Sequence, residues 1–153
     1  MADPALYTAW VALAEALEGI RGDAGYHTTV RTVTTDPVQL ETLPAPLTPA
    51  IVVMFNEELT TREAESMPGI DGEALVFSLL SRVDDTGLDS QSRIRTYAQF
   101  REDLIRAVRA DVTCGGVAWD VLIRGVSGPG LDHGRILARH DVTVRVSVED
   151  SAS

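Results

Sequence analysis

"RIRTYAQFREDLIRAVRADVTCGGVAWDVLIRG", residues 93–125, reads as a helix, a tight glycine turn and a strand. A short hydroxyl at Ser90 or Ser92 can cap the helix by accepting from the unpaired N–H groups of its first turn. Ile94, Tyr97, Ala98, Leu104, Ile105 and Val108 recur at helical spacing and predict one stripe facing a core. Asp111 closes the helix, and Gly115-Gly116 supplies the positive φ that a sharp reversal needs. Beyond the turn the period drops to two, with Val117, Trp119, Val121 and Ile123 on one face and Asp120 and Arg124 on the other. A helix that folds straight back onto its own strand is a local, strongly specified unit, and no residue in it has the marks of catalysis.

Upstream, Asp3-Pro4 predicts a helix start, a capping carboxylate followed by proline at the first helical position. Leu6, Trp10, Leu13, Leu17 and Ile20 then trace a narrow seam along a helix over about residues 4–19, and Gly19, Gly22 and Gly25 end it. The threonine-rich stretch "YHTTVRTVT" (26–34) predicts a strand. Four prolines in residues 36–50 predict an extended crossing without ladder pairing. "AIVVMFN" (50–56) reads as a buried strand, 57–72 as an exposed acidic loop insertion, and "EALVFSLLSRV" (73–83) as the third strand. "GVSGPGLDHG" (125–134) reads as a flexible turn. The last strand (135–149) alternates cleanly: Ile136, Ala138, His140, Val142, Val144, Val146 and Val148 share one face. Residues 150–153 form a polar tail.

The predicted order is α-β-β-β-α-β-β, with short connections that favour antiparallel neighbours. The expected fold class is α+β: a two-layer sandwich with a mostly antiparallel sheet of about five strands and two helices on one face. The other face, with Thr, Arg, Asp and Val, is too mixed to stay wet and too polar for a helix layer; a subunit partner could cover it. The 153 residues suit a single domain, residues 1–153, with a sizeable core.

The net charge of −10 speaks against binding nucleic acid over a broad surface. All 13 basic residues are Arg, so every cation is a planar fork suited to bidentate pairing. The one cysteine, Cys114, excludes an internal disulfide and a multi-cysteine zinc site. No apolar run approaches membrane-spanning length, and no leader pattern precedes the first helix, which fits manufacture in a reducing cytoplasm.

Several features together resemble the tail terminator, or tail completion, proteins of long-tailed bacteriophages and prophages. They are a helix ending in "IRG" (20–22) before "GYHTTVRTV" (25–33), the crossing into "PAIVVMFNEE" (49–58), "LIRAVRADVTCGGVAWDVLIRG" (104–125), and the long alternating C-terminal strand. The resemblance covers element order over about the whole chain; the acidic loop 57–72 lies outside it. It implies a minor structural subunit that closes into a ring, usually a hexamer, at the head-proximal end of the tail tube. Such a ring stops tube growth and offers the head-joining surface. Its implied partners are copies of itself, the tail tube protein and a head–tail connector protein, with DNA only passing through the channel. Its implied location is the virion neck, after assembly in the host bacterial cytoplasm. Neither a cofactor nor a metal is implied. The alternatives are another connector protein, a stopper or adaptor, and a small α+β enzyme or ligand-binding domain.

The chemistry-bearing residues read mostly as structural. His27, His133 and His140 lack the short helical spacing of a metal site, despite Asp132 and Asp141 beside them. Cys114 follows a helix C-terminus, whose negative pole disfavours a thiolate. Nucleophile-elbow, P-loop and dinucleotide fingerprints are missing. Arg101 falls within the predicted apolar stripe, so either its stem packs while its head reaches water, or it is buried against a carboxylate such as Asp120, or it anchors into a neighbouring subunit. Residues 56–89 hold nine acids against Arg62 and Arg82, whereas residues 93–109 hold five arginines against Glu102 and Asp103. These are either solvated faces with pairs such as Glu102–Arg106, or the two complementary patches that a head-to-tail ring requires. The candidate subunit interface is therefore Arg93, Arg95, Arg101 and Arg106 against Glu57, Glu58, Asp84 and Asp85.

Overall fold

A computed structural model describes residues 3–36, 40–65, 73–84, 90–132 and 134–146. The chain is α+β. In order it forms α1 (Ala5–Glu18), β1 (Thr32–Thr34), β2 (Ala50–Phe55), α2 (Glu57–Glu65), β3 (Glu73–Asp84), α3 (Ser90–Ala110), β4 (Ala118–Asp132) and β5 (Arg135–Val146). The strands make one five-stranded sheet in the order β1-β2-β3-β5-β4. Every neighbouring pair is antiparallel except β1 with β2.

The core lies between the sheet and the pair α1 and α3. Leu13, Leu17 and Ile20 of the predicted seam, joined by Ala9, are buried in one cluster with Ile51 and Val53 of β2 and Phe77 and Leu79 of β3, while Leu6 and Trp10 are partly buried against it. Trp10 adds direction as well as area: its indole N–H donates to the Val53 carbonyl at 2.9 Å, and its ring lies 6.4 Å from Phe55 and 6.1 Å from Phe77. A large apolar side chain fully removed from water contributes roughly 1.5–3 kcal/mol, so these contacts fix α1 on the sheet. Residues Ile136, Ala138, His140, Val142, Val144 and Val146 of β5 are buried, as the period of two requires.

Several local expectations change. Pro4, not Asp3, occupies the N-cap of α1, and no side chain caps that end. Residues 26–31 are not strand, and the predicted strand shrinks to Thr32–Thr34. The backbone there is held instead by long-range bonds, such as Val30 N–H to the Ile20 carbonyl. The proline-rich crossing contains two short 3-10 turns, Leu40–Thr42 and Ala45–Leu47, rather than a continuously extended run. The first half of the acidic segment is the helix α2, whose start is held by Asn56: its side-chain oxygen accepts from the Leu59 N–H at 3.0 Å. Ser90 and Ser92, the expected caps of α3, instead lie within the helix, which begins at Ser90.

The turn that organises the chain forms as read. Asp111 accepts from the N–H and hydroxyl of Thr113 and the N–H of Gly115. Gly115 (φ 78°) and Gly116 (φ 92°) then take left-handed conformations. A Cβ on Gly115 would stand 3.1 Å from Thr8 Cγ2 and 3.2 Å from Ala12 Cβ, so the turn is also the close-approach point for α1.

Beyond it, two predictions fail for one reason. A β-bulge between Ala118 and Asp120 flips the alternation, leaving Trp119 55% exposed on the outer face while Ala118 and Val121 turn inward. Further along, "GVSGPGLD" is not a flexible turn but the distal half of β4, accommodated by register shifts between Gly125 and Ser127 and between Ser127 and Gly130.

Candidate assembly surface

The amphipathic face of α3 is rotated from the predicted one. Phe100, Asp103, Leu104, Ala107 and Val108 are buried, whereas Ile94 is 69% exposed and Ala98 is exposed. Arg101 therefore lies at the surface with no hydrogen bond or ion pair among the described residues, and it does not pair with Asp120. The buried charge on α3 is Asp103, fully enclosed. Its carboxylate accepts from the His27 N–H at 3.0 Å, the Thr28 N–H at 2.7 Å and the Thr28 hydroxyl at 2.6 Å. Three donors on a desolvated carboxylate make it a clamp on residues 27–28, which have no ladder of their own. The sequence signal for it is its place three positions after Phe100 and four before Ala107, on the stripe that those two residues define.

The buried cation is Arg82 in β3, 1% exposed. Its Nε and Nη2 form a fork with Asp84 at 2.8 Å each, and Nη1 donates to the Leu40 and Leu43 carbonyls at 2.6 and 2.7 Å. It thereby pins the crossing segment across the outer face of the sheet. On the same face Asn56 donates to Ser78 and Ser78 to Asp141, while Thr60 of α2 accepts from the Val76 N–H. The chain's own α2 and crossing thus cover the middle of the face expected to await a subunit partner.

The eight candidate interface residues divide accordingly. Asp84 is engaged by Arg82 inside the subunit. Arg106 stacks on Tyr26, 4.6 Å from the ring centre, and donates to the Gly25 carbonyl at 2.8 Å; Glu102 meets His27, not Arg106. Asp85 lies outside the described residues. Glu58 pairs with Arg62 on the exposed surface of α2, beside exposed Glu57. Arg95 and Arg101 are exposed on α3, and Arg93 is half-buried with its Nε unbonded. Opposite charges therefore sit on opposite faces of the sheet: α2 on one, the solvent side of α3 on the other.

Other titratable groups serve structure. The Asp111 carboxyl is held below its usual range by the hydrogen bonds from Thr113 and Gly115. Burial, with the charge of Asp111 second, pushes the Cys114 thiol up to about 12. His140 is 1% exposed with neither ring nitrogen hydrogen-bonded. Burial lowers its pKa, the Arg101 charge lowers it further, and Asp141 opposes both. His133 lies outside the described residues. Among the described residues, no three His, Cys, Asp or Glu side chains converge as metal ligands, and no helix is long and apolar enough to cross a membrane. Set against models of protein families and against curated proteins, the chain matches none.

Proposed function

We propose that the chain is a phage structural subunit that closes into a ring, with six copies as the expected number, at the head-proximal end of a tail tube. There it ends tube growth and presents the surface that a head–tail connector joins. The observation that carries this reading is the separation of charge across the sheet. The helix α2 bears four glutamates against one arginine, and α3 on the far face bears five arginines against Glu102 and buried Asp103. A head-to-tail ring needs two different patches per subunit that fit each other, and these two are complementary in sign and placed on opposed faces. The resemblance in element order points the same way. The net charge of −10 also suits a collar through which DNA passes without adhering. The subunit acts in the virion neck and needs no bond-making centre.

The test is electron microscopy and sedimentation of the purified protein, alone and mixed with tail tubes. Rings on tube ends support the reading. Arg93→Glu with Arg95→Glu should weaken assembly, most at low salt, where surface charges are least screened. A protein that never associates with itself or with tubes, and instead binds a small molecule, would favour the ligand-binding alternative.

A further inference from the structure

We infer that the free edge of β4 is a second, two-fold self-association surface, in which the strands of two copies pair antiparallel with Leu122 on the axis. β4 is the last strand of the sheet, fifteen residues long, so one edge of it has no neighbouring strand among the described residues. Long unpaired edges attract other strands unless they are blunted. Register shifts at Trp119, at Val126 and again between Ser127 and Gly130 leave a regular run, Asp120–Gly125, between the first two.

The side chains on that run are self-complementary in one register. Asp120, Leu122 and Arg124 project from the outer face; Val121 and Ile123 project inward. With Leu122 opposite Leu122 of the second copy, Asp120 faces Arg124 and Arg124 faces Asp120, giving two reciprocal ion pairs about an apolar centre. On the inner side Val121 meets Ile123 twice, extending both cores. Centring on Asp120 or Arg124 instead opposes like charges, and centring on Val121 or Ile123 opposes a charge with leucine or with valine. The groups are also available. Among the described residues Arg124 is exposed with no ion-pair partner, and Asp120 pairs only with Arg145, at 4.0 Å. Leu122 is 45% exposed and Val126 44%, an apolar load that edge pairing would cover. Glu63 of α2 borders the same surface as Leu122 and Arg124, but the pairing itself does not rest on the tail reading.

The experiment measures self-association by sedimentation across a concentration series. The wild type should dimerise. Arg124→Asp and Asp120→Arg each place like charges opposite each other twice, and each should weaken dimerisation roughly tenfold or more. Mixing the two variants restores both pairs, so they should combine one to one more tightly than either with itself. Circular dichroism identical to wild type would show that each variant is folded. A wild type that remains monomeric, association unchanged in Arg124→Asp, or variants that do not combine on mixing would each overturn the inference.

Discussion

Removing the Asp103 carboxylate should damage this protein more than any surface substitution. Asp103→Ala strands three donors: the N–H groups of His27 and Thr28 and the Thr28 hydroxyl. Water can reach part of residues 27–28, so not every donor suffers the full penalty. At about 1–3 kcal/mol for each donor left without its charged acceptor, a net loss of roughly 3–4 kcal/mol is expected. For a domain of this size that lowers Tm by roughly 10 °C. Asp103→Asn keeps the shape but replaces one accepting oxygen with a donor, so about half the loss should remain. Thr28→Val removes one donor and its bond together and should cost about 1 kcal/mol. Urea unfolding followed by circular dichroism gives all three values, and the double variant gives the coupling. The coupling should exceed about 0.5 kcal/mol, because the two groups touch. Asp103→Ala within about 0.5 kcal/mol of wild type would refute the claim that this carboxylate clamps the N-terminal segment to α3.

Arg82→Met should destabilise by roughly 3–5 kcal/mol, since Asp84 and two carbonyls lose their buried partner, and residues 40–47 should become the first site of limited proteolysis; Arg82→Lys cannot replace the fork and should recover only part. Gly115→Ala should be worse than Gly116→Ala in thermal melts, because both positions have positive φ but only Gly115 has α1 against it. Cys114, with a thiol pKa pushed up to about 12, should resist alkylation at about pH 8 while folded and react once denatured. The depressed pKa of His140 gives stability that is whole above the unfolded value of 6.5 and falls as pH drops toward the folded pKa, because the unfolded chain then binds the extra proton. His140→Leu should flatten that part of a stability-versus-pH curve measured by denaturant unfolding, after allowing for Asp111, whose contribution is lost at lower pH.

Period and turn chemistry alone determined the parts of the chain that act locally: α1 with its seam, the buried run of β2, the strict alternation of β5, and the Asp111–Gly116 reversal that turns α3 back into β4. Each follows from spacing or from a residue whose backbone freedom a particular φ demands. Tertiary structure decided what depends on a partner far along the chain. The stripe of α3 is not legible from spacing because Asp103 is polar on a wheel, yet three donors from residues 27–28 make its burial favourable and leave Arg101 and Ile94 in solvent. The burial of Arg82 inside an apolar strand is not legible locally, because the carbonyls of Leu40 and Leu43 that satisfy it lie some forty positions earlier. Trp119 changed face because a single bulge shifts a period of two by one residue, and a bulge is set by the neighbouring strand. For the same reason the charges of Asp84 and Arg106 were legible as candidates, but only the folded chain shows that each already has its partner at home.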